Sequence, residues 1–217
     1  MGTLLTFEPP APHLRAALGA RTGTDVGEAV AARAMRAEIT YYRAHLHEGS
    51  DAAGLAALRR ASAEAMRPAL EGPAASLESE ELTGALLESL RFRAYPEVPW
   101  TLRELRRRGI RLVVVSNWDV SLHERLAETG LAPLVDGAVA SAEAGCAKPD
   151  RGIFALGLAL AGAAPGESWH AGDSPEADVA GATGAGIRPV LVARDGAPAV
   201  PGVPSIASLD GLLSLVE

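Results

Sequence analysis

Lysine is nearly missing from this chain. Among 20 basic side chains in 217 residues, one is a lysine, Lys148, and all the others are arginine. Cysteine is as scarce: Cys146 stands alone. That excludes an internal disulfide framework and fits a reducing compartment, so a cytoplasmic location is expected. No apolar run reaches the roughly 20 residues needed to span a bilayer, and no signal-peptide pattern opens the chain. Positive charge is in deficit. A net charge of −7 leaves no electrostatic footprint for nucleic acid or an anionic membrane. The run Arg106-Arg107-Arg108 sits at the end of an expected helix, where cations favour the dipole. The five histidines, His13, His45, His47, His123 and His170, show no ligand spacing, so a zinc site is not expected. What is present, 48% apolar and 22% charged residues, is the composition of a soluble globular protein able to bury a core.

Two textures divide the chain. A rigid spacer, Glu8-Pro9-Pro10-Ala11-Pro12, follows the opening residues. From 25 to 92 apolar residues then recur at three- and four-residue steps, as in Val26, Val30, Ala34, Ala37 and Tyr41. Ser50-Asp51 caps a second helix, and a third runs through Leu82, Leu86 and Leu90. After Tyr95 the pattern changes to alternating strands and helices. Strands are expected over 111–116, 135–141, 168–171 and 189–193. Helices are expected over 99–108, 119–129, 150–161 and 175–184. A turn-rich stretch, 196–204, leads to a last short helix through Leu209 and Leu213. Such alternation implies a Rossmann-like α/β fold, a parallel sheet with helices on both faces.

Candidate site residues gather at strand ends, where open α/β sheets bind ligands. The strand through Val115 ends in Ser116-Asn117, a hydroxyl and an amide ahead of a helix, which suits an anion. Asp119 reads as that helix's cap. Lys148 precedes Pro149-Asp150. In a sequence so biased toward arginine, a lone lysine marks a place for a compact ammonium that the wide guanidinium fork does not fit. Asp173 and Asp178 flank a strand-to-helix turn and suit a hard cation with oxygen ligands, Mg²⁺. The glycine-rich 181–186 lies inside a helix rather than after a strand, so it reads as small residues packed against the sheet, not a nucleotide loop.

Together these motifs resemble the haloacid dehalogenase-like hydrolase superfamily. Val114-Val115-Ser116-Asn117, Lys148-Pro149, and Gly172-Asp173-Ser174 with Asp178 and Gly181-Ala182 look like its second, third and fourth motifs. The likeness covers nearly everything from Tyr95 to Ala193. It implies a core of residues 1–11 and 94–217 with an inserted all-helical cap, 12–93. It also implies a Mg²⁺-dependent phosphatase acting through an aspartyl phosphate on a small phosphorylated substrate. In that reading Thr3, Ser116, Asn117 and Lys148 bind phosphate, Lys148 and Asp178 are catalytic, and Asp173 and Asp178 hold the metal. Asp178 would fix Lys148 or a metal-bound water. Arg36, Tyr41, Tyr42 and Arg43 are candidate cap residues facing the site, and the assembly is expected to be a monomer or homodimer.

The opening Gly2-Thr3-Leu4-Leu5 matches only the tail of the family's first motif. Its aspartate nucleophile falls two residues before Met1, and the strand leading to it is not in the sequence. We therefore expect a true start upstream, an open apolar slot in the sheet, and an inactive, poorly folded chain as written. The loose match of residues 1–6 to a myristoylation signal is then accidental. Met1 would take the place of the family's general acid/base. Two alternatives stand beside the phosphatase. A 2-haloacid dehalogenase needs no metal, which the Asp173/Asp178 pair argues against. The other is a non-catalytic phosphate-binding module. A phosphonatase is excluded, because the helical segment has no lysine for a Schiff base.

Overall fold

The computed structural model describes residues 2–194, 196 and 199–216. Met1 therefore lies outside the described residues, as does part of the expected turn-rich stretch 196–204. The chain divides into two compact units, one of Met1–Thr6 with Arg93–Glu217 and the other of Phe7–Phe92. The expected helical insert, 12–93, differs mainly at its start. The proline run read as a spacer begins a helix, α1 (Pro10–Thr22). Proline's fixed φ suits the first helical turn, and its missing N–H has no partner to lose there.

The second unit is helical. After α1 come α2 (Glu28–His45), α3 (Ala52–Met66) and α4 (Ser79–Ser89). The Asp51 carboxylate accepts the Gly54 N–H at 2.8 Å and caps α3. Leu14 and Leu18 on α1, and Leu82 and Leu86 on α4, are four apart and share a face. They meet Met35 and Met66 in one core. One polar side chain joins the buried face of α2: Glu38, 4% exposed.

The first unit carries the strands. Short β1 (Leu5–Phe7) and β2 (Phe92–Ala94) pair with each other, and the boundary between the units falls within them. Neither was legible in the sequence. Helix α5 (Val98–Arg107) leads to β3 (Val113–Ser116), α6 (Leu122–Glu128) and β4 (Gly137–Ala140). The short α7 (Ser141–Ala144) and α8 (Arg151–Ala161) follow, then β5 (Trp169–Gly172), the short α9 (Gly181–Gly184) and β6 (Arg188–Val192). A final strand, β7 (Ser205–Ile206), pairs with β6 beyond the turn-rich stretch. Two apolar residues at most are too short a run to signal a strand.

All pairing among β3 to β7 is parallel, as the alternating pattern implied. The sheet nevertheless stands in two pieces. β3 pairs with β4 in register Val113↔Gly137 to Ser116↔Ala140. β5 pairs with β6 from Trp169↔Arg188 to Gly172↔Leu191. Among the described residues β3 and β5 have no second partner strand. A cavity of about 1050 Å³ is lined by both, together with apolar Leu105, Leu126, Phe154 and Leu212. Val113, Val114 and Val115, an apolar run of the kind that a parallel strand buries on both faces, are consequently only half-buried. No helix among the described residues is long and apolar enough to cross a membrane.

Candidate active site

The carboxyl ends of β3 and β5 converge on Lys148. Its backbone is gripped by the chain's only asparagine: Asn117 Oδ1 accepts the Lys148 N–H at 2.7 Å, and Asn117 Nδ2 donates to the Lys148 carbonyl at 2.9 Å. The side chain, 11% exposed, donates from Nζ to the Val115 carbonyl at 2.9 Å and to Asp178 Oδ1 at 2.6 Å. An ammonium has three N–H donors, so one remains for a ligand. Asn117 thus has a structural part beside the expected one. Its amide spends the oxygen and one of two N–H donors on positioning Lys148, which leaves one N–H for a phosphoryl oxygen. The Ser116 hydroxyl lines the same cavity and has no protein partner among the described residues.

Asp178 is delivered by an unusual turn. After β5 the chain enters a π-helical turn, Pro175–Ala180, in which Val179 N donates back five residues to the Ser174 carbonyl at 3.1 Å. Such widened turns recur at functional sites because they re-aim side chains. Here the turn buries Asp178 and brings it against β5. A Cβ at Gly172 would lie 2.0 Å from Asp178 Cγ, so only glycine permits the approach. Asp178 Oδ2 accepts the Ser174 N–H at 3.0 Å, and Oδ1 accepts both Lys148 and His170 Nε2, the latter at 2.8 Å. Burial opposes the charge on Asp178. The His170 hydrogen bond and the Lys148 charge outweigh it and hold this carboxyl well below the usual range. Of the two parts expected for Asp178, its contacts match fixing Lys148.

Asp173 has a different setting. Its Oδ1 accepts the Thr3 hydroxyl at 2.7 Å, so Thr3, expected to bind phosphate, spends its hydroxyl on Asp173. Thr3 is itself pinned. Arg194 donates to the Gly2 carbonyl at 2.7 Å and the Thr3 carbonyl at 2.8 Å, pairs with Glu97 at 2.6 Å and lies 3.6 Å over the Tyr95 ring. A Cβ on Gly2 would stand 2.6 Å from Asp173 Oδ2. The bare glycine therefore leaves that second oxygen, which has no protein partner among the described residues, open to a ligand. That oxygen is a donor of the type a hard cation such as Mg²⁺ takes, although no cluster of three or more metal-ligating side chains stands together among the described residues. The pairing of Asp173 with Asp178 around one ion is not what their contacts show. One takes Thr3 and the other takes Lys148 and His170.

The remaining candidates lie elsewhere. Asp119, 3% exposed, accepts the Ser121 N–H at 2.7 Å in the turn before α6; the helix starts at Leu122 with Ser121 at its N-cap position, so Asp119 is not the cap expected. Gly181 supports the site indirectly, since a Cβ there would come within 2.7 Å of the Phe154 ring. In the helical unit Arg36 and Tyr41 line a shallow hollow with Thr40 and His45, while Arg43 is exposed. Sequence reading missed three contributors: His170, Arg194 and Glu97. His170 carried one usable signal, since it lies two residues before Gly172 on a strand and so shares a face with it. Arg194 is one arginine among many and carried none.

Known proteins resemble this chain in sequence and fold. A family profile described as a haloacid dehalogenase-like hydrolase matches residues 1–186. The chain is 35% identical over 181 residues to a phosphoserine phosphatase of Thermus thermophilus, spanning 73% of each. It is 36% identical over 101 residues to a glyceraldehyde 3-phosphate phosphatase of Methanothermobacter thermautotrophicus, a match covering 46% of this chain and 45% of that one. Among solved structures, a phosphatase of this type from Thermococcus onnurineus superposes with a TM-score of 0.67 at 25% identity, over 99% of this chain and 94% of that one.

Proposed function

The chain belongs to the haloacid dehalogenase-like hydrolases, and we propose that its site is that of a Mg²⁺-dependent phosphatase for small phosphorylated metabolites. The observation that carries this reading is the Lys148–Asp178 pair, gripped by Asn117 and set beside the unpartnered Ser116 hydroxyl. A phosphoryl group at the mouth of the cavity would take the free Lys148 N–H and the Ser116 hydroxyl. Lys148 would offset charge building on the phosphoryl oxygens, and Asp178 keeps that ammonium aimed and charged. Asp173, oriented by Thr3, would hold Mg²⁺, which when bound adds further charge neutralisation there. The helical unit Phe7–Phe92 would serve as the cap that selects substrate.

Transfer through an aspartyl phosphate needs a carboxylate facing the phosphorus. Near Lys148, Asp173 and Asp178 are the acids lining the cavity; Asp178 is taken by Lys148 and His170, and Asp173 gives one oxygen to Thr3 and leaves the other for Mg²⁺. We propose that neither is the nucleophile and that the attacking carboxylate is the aspartate of the family's first motif, of which Gly2-Thr3-Leu4-Leu5 matches the tail. The test is hydrolysis of p-nitrophenyl phosphate with Mg²⁺ by this chain and by a form extended with an apolar strand ending in aspartate. Activity in the extended form alone, lost on Asp173→Asn, is expected. Equal activity in both overturns the nucleophile assignment. Absence of activity in both, with phosphate still bound, favours the binding module over the enzyme.

A further inference from the structure

His170 belongs to no expected motif, yet it reaches the centre of the site. Its ring is 14% exposed and sits edge-on to Phe154, with centroids 5.0 Å apart and planes at 82°. Phe154 is 1% exposed and occupies the space that a side chain at Gly181 would fill. A packed line therefore runs from Gly181 through Phe154 to His170. It continues by hydrogen bonds through Asp178 Oδ1 to Lys148 Nζ. Ionised Asp178 can only accept, so His170 Nε2 must carry a proton and donate it. Asp178 Oδ1 thus receives two donors from different elements, β5 and the segment before α8. Its position is fixed against sliding toward either.

We infer that His170 is a positioning residue for phosphate binding. It anchors Asp178 so that Lys148, tied to the same oxygen, keeps its remaining N–H directed at the ligand. This rests on the reading of Lys148 as the phosphate-binding cation. The glycine at 181 then has a functional reason as well as a packing one, since it seats the phenyl ring that orients the imidazole. Without the His170 donor, Asp178 keeps Lys148 and the Ser174 N–H but loses its third fixed point, and Lys148 follows it.

Three variants separate positioning from simple filling of space. In His170→Gln the side-chain amide reaches to about where Nε2 lies. His170→Asn stops at the Nδ1 position, and His170→Phe keeps the ring volume without a donor. Inorganic phosphate binding is measured by titration calorimetry on the full chain, with melting temperature as a control for folding. Loss of a hydrogen bond to a charged group corresponds to about tenfold or more in affinity. The expected order is wild type and Gln close together, with Asn and Phe at least about tenfold weaker. Phe binding as tightly as wild type, or Gln as weak as Phe, overturns the inference while leaving Lys148 as the phosphate ligand. If wild type does not bind phosphate, the phosphatase reading fails first. The anchoring step is tested without phosphate by ¹⁵N correlation spectra of the His170 ring. A proton on Nε2 supports it, and a neutral ring protonated on Nδ1 overturns it.

Discussion

Replacing Glu38 with glutamine should make the protein more stable at alkaline pH and leave it unchanged in acid. Glu38 lies on the buried face of α2, 4% exposed, and no ion pair or hydrogen bond to it is found among the described residues. Burial raises its carboxyl from 4.5 to about 7. In the unfolded chain the group titrates near the lower value, in the folded chain near the upper one. Between them the folded state holds a proton that the unfolded state has lost. The Glu38 contribution to stability is therefore fully present below pH 4.5 and is lost as pH climbs through 7. At 1.36 kcal/mol per pKa unit the full loss is about 3 kcal/mol. For a chain of this length that is about 6–12 °C in melting temperature. Glutamine keeps the shape and cannot ionise, so Glu38→Gln should remove this component. Thermal melts of both proteins at half-unit steps from pH 5 to 8.5 give the difference directly. If the two curves run parallel across that range, Glu38 is not a desolvated carboxyl and the packing of α2 is misread.

Three further outcomes follow from the α/β unit. Gly172→Ala places a methyl group inside Asp178, so the pair with Lys148 must break. Overpacking costs about 1–3 kcal/mol, and calorimetry should show phosphate binding lost. Arg194→Ala frees the Gly2 and Thr3 carbonyls and strands Glu97. A drop of about 2–3 kcal/mol in denaturant unfolding is expected, and a change below about 0.5 kcal/mol would show the clamp to be ornamental. Hydrogen exchange followed by NMR should find the cavity-facing amides of Val113–Ser116 and Trp169–Gly172 faster than those facing β4 and β6. Uniform protection across β3 and β5 would mean that the cleft between them is closed in solution.

Much of the scaffold was legible because its signals are local. The apolar, β-branched run ending at Ser116 forms β3, and the four-residue spacing of Leu82 and Leu86 marks a helix that packs in the helical core. The lone lysine in an arginine-rich chain pointed to the centre of the site. What stayed hidden depends on long-range geometry. A strand-end amide such as Asn117 suits an anion, but nothing local shows that its side chain also grips the backbone of a residue 31 positions away. His170 has no metal-ligand spacing, a criterion blind to a histidine that serves a carboxylate. Glu8 to Pro12 looked like a stiff linker, since proline marks both spacers and helix starts. β7 is simply too short for its two residues to declare themselves.

The central claim is that Lys148, aimed by Asp178, is the phosphate-binding cation of this chain. Titration calorimetry of inorganic phosphate with Mg²⁺ present, on wild type and on Lys148→Arg, tests it most directly. Arginine keeps the charge, but its planar fork replaces a point donor in the narrow space between Val115 and Asp178. Wild type should bind and Lys148→Arg should lose about tenfold or more, despite unaltered charge. Equal binding by the two proteins would contradict the account, because phosphate would then be held by charge alone or at another place.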